Sequence, residues 1–162
     1  MHLILIFQLL VLLAIANGTP VIAKKIFASR FGQPLDAGVT FIDGRRLFGQ
    51  SKTLRGIVLA ILCTTLGAPL VGLDWPVGTQ VGLMAMAGDL FSSFLKRRMN
   101  LAPSSQAIGL DQIPESLFAL VAARVSLPLS ALDIFLSVAA FFIGEILISK
   151  LLFALNIRDR PY

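Results

Sequence analysis

The sequence predicts an all-α integral membrane protein of about five transmembrane helices, with its N-terminus outside and its C-terminus in the cytoplasm. Three observations carry that expectation. Of 162 residues, 56% are apolar and only 14% charged, with a mean hydropathy of +0.84, whereas a soluble domain carries roughly a quarter charged residues. The apolar residues run in blocks of about 17–25, long enough to cross the hydrocarbon core as helices. Lysine and arginine, finally, gather in alternate connections between the blocks, as the positive-inside rule requires.

The blocks define spans at 3–23, 56–73, 77–95, 108–128 and 131–155 of a single membrane domain, 1–162. The first span is interrupted by Asn17-Gly18-Thr19-Pro20. A proline inside a helix frees a carbonyl, which in a membrane must be satisfied by neighbours or water. A cleaved signal peptide is the rival reading, since Ala14-Ile15-Ala16 resembles a cleavage site, but no positive charge precedes the apolar run and several follow it. The loop 24–55 then holds Lys24, Lys25, Arg30, Arg45, Arg46, Lys52 and Arg55, and the loop 96–107 opens on Lys96-Arg97-Arg98. Lys150, Arg158 and Arg160 mark the C-terminal end, whereas the connections near 74–76 and 128–131 hold no basic residue. The formal charge of +5 is therefore read as juxtamembrane loops facing lipid head groups, not as a nucleic-acid surface. Cys63 is the only cysteine, so a disulfide framework is excluded.

The ionisable residues gather at one end of the predicted bundle. On a helix, Asp89, Ser93, Lys96 and Arg97 stand at i, i+4, i+7 and i+8 and share a face. A carboxylate within a span costs about 2.5–3.5 kcal/mol at the helix centre and less near the interface, and a bound cation or basic neighbour would offset that cost. The plainer alternative is a snorkelling basic anchor to which Asp89 is merely paired. Asp111, Gln112 and Glu115 enter the fourth span from the same side. Asp111 is thus placed to face Asp89, and two carboxylates from different helices suit magnesium, which keeps waters for a phosphate substrate. Helix capping by acids in a first turn accounts for Asp111 and Glu115 equally well. In the first loop, Gly44, Gly49 and Gly56 allow close backbone approach, while Arg45, Arg46, Lys52 and Arg55 supply phosphate donors. Lys52-Thr53 lacks the spacing of a Walker motif, and a polybasic loop on anionic lipid is the competing explanation. Glu145 and Lys150 are read as structural, Arg124 and Asp133 as markers of the outer boundary, and Met84 and Met86 as packing.

These residues together resemble the CDP-archaeol synthase family, relatives of the CDP-diacylglycerol synthases. The resemblance rests on Pro34-Leu35-Asp36, Asp43-Gly44-Arg45-Arg46, Gly49-x-x-Lys52-Thr53-x-Arg55-Gly56, Gly88-Asp89-x-x-x-Ser93-x-x-Lys96-Arg97-Arg98 and Leu110-Asp111-Gln112, with Asn17-x-x-Pro20 in the first span. The Ser-x-x-Lys-Arg element also looks like part of the broader cytidylyltransferase signature. The resemblance implies Mg2+-dependent transfer of a cytidylyl group from CTP to a membrane lipid phosphate, with Asp89 and Asp111 on the metal. It further implies that Lys52, Arg55, Lys96 and Arg97 neutralise phosphates and that Asp43, Arg45 and Arg46 shape the nucleotide side. Ser93 would donate a hydrogen bond, and Asn17 would polarise the lipid phosphate. The chain departs from the archaeal pattern at Gln33, at Gln50-Ser51 and at Ile113-Pro114-Glu115, differences that bear on the acceptor lipid. From another class, a small transporter or lipid-binding scaffold is the alternative. A transporter would place its charges near the midplane, often at paired broken helices, and a scaffold would tolerate loss of Asp89 or Asp111.

Overall fold

The computed structural model describes residues 1–28 and 30–156 and is helical, with two isolated β-bridges in the first loop (Pro34 with Thr53, Thr40 with Arg46) and no strand among the described residues. Arg158 and Arg160, which entered the charge pattern above, lie outside the described residues. Five helices follow in order: α1 (Leu3–Phe27), α2 (Leu54–Gly67), α3 (Trp75–Arg98), α4 (Gln112–Ala123) and α5 (Ala131–Ala154), with a 3-10 turn, Pro69–Val71, after α2.

Local chemistry sets the ends. Thr53 caps α2 by accepting the Gly56 N–H, and Ser130 with Asp133 forms a reciprocal capping box at the start of α5. Asp133 also accepts the His2 backbone N–H at 2.9 Å and lies 3.0 Å from His2 Nδ1. The starts of α1 and α5 are therefore tied together, and the two helices run parallel.

Two sequence expectations are corrected. The first helix is not broken: α1 continues through Pro20. The Thr19 hydroxyl donates to the Ile15 carbonyl at 2.6 Å beside the proline, and Pro20 packs where a Cβ on Gly56 would stand. The fourth element is shorter than 108–128. Gly109 turns the chain at positive φ and Asp111 precedes the first helical residue. The resulting 12-residue helix, rising about 1.5 Å per residue, is too short to cross the roughly 30 Å hydrocarbon core alone. Three segments, Leu3–Phe27, Leu54–Val71 and Ala131–Ala154, are long and apolar enough to cross by themselves. α3 has the length but commits one face to polar groups.

The core joins all five helices through Leu9, Leu12, Leu13 and Ala16 of α1, Ala60 of α2, Val81 and Ala85 of α3, Ala119 and Leu120 of α4, and Phe141 of α5. Large apolar side chains such as Phe7, Leu62, Leu83 and Phe135 cover the outside, which is the arrangement a lipid solvent favours. Small residues bring the helices close, as is usual between membrane helices. A Cβ on Gly78 would fall 2.7 Å from the Thr64 carbonyl oxygen of α2, and one on Gly88 would fall 2.2 Å from the Pro114 carbonyl oxygen of α4.

The loop between α1 and α2 is organised by Asp36. Its carboxylate is buried and accepts the N–H groups of Gly38 (3.1 Å), Phe48 (3.1 Å) and Gly49 (2.9 Å), and it pairs with the Arg46 guanidinium. Burial alone would push the Asp36 carboxyl up, but Arg46 and the three backbone donors outweigh it and hold the group below the usual carboxylate range. A depressed folded-state pKa means that ionised Asp36 stabilises the fold above the unfolded value of about 3.9. That stabilisation is lost as pH falls through the folded value. Asp36→Asn is accordingly expected to cost about 1–3 kcal/mol near neutral pH, because Arg46 loses its counter-charge and at least one N–H loses its acceptor. Thermal unfolding in detergent at pH 7 and at progressively lower pH checks this. The gap between variant and wild type should close in acid, and a gap independent of pH would contradict the assignment.

Candidate active site

The cytoplasmically predicted end of the bundle encloses a cavity of about 910 Å³. All five helices contribute to its wall: Asn17 and Pro20 from α1, Arg55 and Gly56 from α2, Asp89, Ser93, Lys96 and Arg97 from α3, Gln112 and Glu115 from α4, and Glu145 from α5. Lys52 and Asp111 enter from the turns before α2 and α4. Among the described residues, six basic side chains (Lys24, Lys25, Lys52, Arg55, Lys96, Arg97) face four acidic ones (Asp89, Asp111, Glu115, Glu145) around the cavity. The balance favours an anionic ligand.

Two lysine–aspartate pairs dominate the wall. Lys52 Nζ lies 2.6 Å from both Asp89 carboxylate oxygens. Lys96 Nζ donates to Asp111 Oδ1 at 2.7 Å and to the Ser105 carbonyl at 2.8 Å, while Asp111 Oδ2 accepts the Ala107 N–H at 2.9 Å. Each pair holds a cation and a carboxylate side by side on the cavity, so a polyphosphate would find fixed positive charge and a metal would find fixed oxygen ligands. Arg97 is buried, donates to the Ala102 carbonyl at 2.9 Å and keeps a buried Nε without a partner among the described residues. Ser93, also buried, lies on the same wall. Arg55 donates to the Ala28 carbonyl at 3.3 Å and to the Arg30 carbonyl, and its guanidinium sits 5.6 Å from the Phe27 ring centroid.

The structure separates other sequence candidates from the cavity. Asp43, Gly44, Arg45, Arg46 and Gly49, assigned above to the nucleotide, are not part of its wall. Asp43 forms an ion pair with Arg98 at 2.9 Å, and Arg45 donates to the Arg97 and Arg98 carbonyls at 3.3 and 2.6 Å. Arg98 returns bonds to the Arg45 and Arg46 carbonyls at 3.1 and 2.7 Å. Arg46 is spent on Asp36, and Gly49 packs against Arg97, where a Cβ would stand 3.4 Å from Nη1. These residues stitch the loop to the end of α3 and thereby carry Lys52 to Asp89.

Two acids were under-read. Glu115 is buried, accepts from Asn17 Nδ2 at 2.9 Å through Oε2, and leaves Oε1 buried without a partner among the described residues. It stands in the first turn of α4, as a capping acid would, and also lines the cavity. Glu145 accepts from Gln112 Nε2 and from Ser149 Oγ, each at 2.8 Å. The available signal for Glu145 was its place midway along an apolar span, where an acid is expensive enough to imply a function.

A polar cavity with an excess of basic groups inside a helical membrane bundle suits an anionic ligand, and the comparisons with known proteins give the class of protein. The family described as CarS-like, CDP-archaeol synthase, matches residues 2–75 and 76–162. A CDP-archaeol synthase of Sulfurisphaera tokodaii is 35% identical over 157 residues, covering 91% of this chain and 89% of that protein. One of Thermofilum pendens is 31% identical over 154 residues, covering 91% and 76% respectively. A solved structure described as an intramembrane enzyme for archaeal membrane lipids biosynthesis superposes with a TM-score of 0.76 at 28% identity, covering 87% of this chain and 90% of that one. The chain belongs to the CDP-archaeol synthase family and is a multi-pass membrane nucleotidyltransferase.

Proposed function

We propose that this chain uses CTP and Mg2+ to transfer a cytidylyl group to the phosphate of a membrane lipid of the archaetidic- or phosphatidic-acid kind, forming a CDP-activated lipid. The observation that carries the reading is the pair of lysine–aspartate contacts, Lys52–Asp89 and Lys96–Asp111, on one cavity with an excess of basic groups. A lipid phosphate oxygen attacks the α-phosphorus of CTP, the bond from that phosphorus to the bridging oxygen breaks, and pyrophosphate leaves. Little covalent work falls to the protein in such a displacement; positioning and charge neutralisation supply the rate. Lys52, Lys96, Arg97 and Arg55 neutralise the triphosphate and the leaving pyrophosphate. Ser93 donates a hydrogen bond on the same wall, and Asn17 lies toward the lipid phosphate.

The donor set suits magnesium. Among the described residues no cluster of three or more His, Cys, Asp or Glu is close enough to bind a metal alone, but magnesium needs only one or two carboxylates when phosphates and water complete its shell. Asp89 and Asp111 would hold it. When bound, the ion screens the charge of the triphosphate oxygens. Lys24, Lys25 and Lys96-Arg97-Arg98 gather at the cavity end of the bundle, which supports a cytoplasmic opening and an external N-terminus.

The test follows pyrophosphate release by purified protein from CTP and magnesium, with diether and diester lipid monophosphates as acceptors. Release that requires a lipid phosphate and is removed by chelation is the expected result. Folded protein that releases no pyrophosphate with any acceptor would sink the reading.

A further inference from the structure

A second, smaller hollow of about 200 Å³ lies between α1 and α5. Its walls are mostly apolar, with Leu10 and Ala14 from α1 and Phe141, Ile148 and Leu152 from α5. Ala14 and Ile148 are exposed and set its rim on the outer surface. Gly18 and Gly144 keep it open, because among the described residues nothing stands within 4 Å of a Cβ built on either. The hollow does not end blindly: Asn17, Val21 and Glu145 belong to its wall and to that of the large polar cavity alike. Polar groups are therefore concentrated at its inner end, where Asn17 bonds Glu115 and Glu145 bonds Gln112 and Ser149.

A groove that is apolar outside, polar inside and continuous with the reaction cavity fits one kind of molecule, an amphiphile with an anionic head and a hydrocarbon tail. We propose that the α1–α5 groove seats a hydrocarbon chain of the acceptor lipid phosphate, with the phosphate entering the cavity past Asn17. The proposal rests on the cytidylyl-transfer reading and adds the route and seat of the acceptor. A volume of about 200 Å³ admits a stretch of a hydrocarbon chain, since an apolar void of roughly 150 Å³ takes up benzene, and the rest of the chain would continue into the bilayer. It is too narrow for a helix about 10–12 Å across from a second copy of the chain. Nonspecific annular lipid would need no passage into a polar cavity.

Gly18→Leu and Gly144→Leu test the seat directly. Both add a side chain to open space in a helix, where leucine is the better helix former, so the fold is preserved. Each should raise KM for a long-chain lipid monophosphate about tenfold or more, the scale on which an apolar pocket discriminates a mismatched group. KM for CTP should stay constant, and the penalty should shrink as the acceptor chains are shortened. An unchanged KM for the long-chain acceptor in both variants would overturn the proposal. A second measurement does not depend on turnover. In a Cys63→Ser background, Gly144→Cys is alkylated by a maleimide in phosphatidylcholine nanodiscs. Dioleoyl phosphatidic acid or its diether analogue should slow alkylation severalfold, whereas the corresponding diglyceride should not. Equal rates with all of them would again overturn the groove, whatever the enzyme does. Protection without cytidylyl transfer by the wild type would instead keep the groove and reject the proposed reaction.

Discussion

Asp89→Asn is expected to lower kcat by about 100- to 1,000-fold while leaving the helical bundle intact, the range seen when one charge-stabilising group is removed from an active site. Both Asp89 oxygens lie 2.6 Å from Lys52 Nζ, so the carboxylate holds the lysine in place and, in the proposed reaction, would also ligate the magnesium. Asparagine keeps the shape and one acceptor but loses the charge that serves both tasks. Lys52→Met should produce a loss of similar size, through phosphate neutralisation and through an Asp89 left without its counter-charge. Because the two residues act as a unit, the double variant should be scarcely worse than the poorer single variant, as a double-mutant cycle measures. Multiplicative losses would show that Asp89 and Lys52 work separately. Single-turnover rates at saturating CTP and magnesium, with thermal unfolding alongside, distinguish this result from simple destabilisation.

That pair also marks how far the sequence could be read. Asp89, Ser93, Lys96 and Arg97 were legible as one helical face because helical periodicity is local, and all four lie on the cavity wall. Lys52 stands 37 residues before Asp89, beyond α2, on a loop whose path depends on Asp36. No periodicity encodes that Asp36 gathers three backbone N–H groups. For the same reason Arg45 and Arg46 looked like phosphate donors, although in the structure Arg45 bonds α3 carbonyls and Arg46 pairs with Asp36. A basic residue in a glycine-rich loop carries the same local signal whether it meets a ligand or a helix end.

Membrane character was most readable in α1, α2 and α5, which are the segments long and apolar enough to cross alone. α3 and α4 were harder to bound. They pack on each other and on the cavity, so their sequences answer to neighbours as much as to lipid. The late start of α4 follows from Gly109 at positive φ and Asp111 at the cap position, residues that an average over an apolar block conceals. For Glu115 capping stayed an open alternative for a related reason: an acid in a first turn suits the helix dipole, and only the tertiary contact with Asn17 reveals where it points.

The closeness of α3 and α4 leads to the second large effect. Gly88→Ala should lower kcat by about 100-fold without abolishing the fold. A Cβ at Gly88 would stand 2.2 Å from the Pro114 carbonyl oxygen, 2.6 Å from its carbonyl carbon and 2.7 Å from Glu115 Cα. Every one of these atoms is main chain, so no rotamer change relieves the clash and the helices themselves must part by about 1 Å. Overpacking of this kind costs about 1–3 kcal/mol, which a bundle joined through five helices withstands. The site is less tolerant, because Asp89 follows Gly88 directly and Glu115 follows Pro114. The displacement therefore falls between the two walls of the cavity, and a shift of about 1 Å in reacting groups can cost roughly 100-fold. Trimming Pro114 to alanine should not rescue Gly88→Ala, since the obstructing atoms remain. Circular dichroism near that of wild type with a large loss of kcat is the expected pattern. Activity within a few-fold of wild type would mean that α4 can recede without disturbing Asp89 and Glu115, and that the catalytic geometry does not depend on the α3–α4 contact.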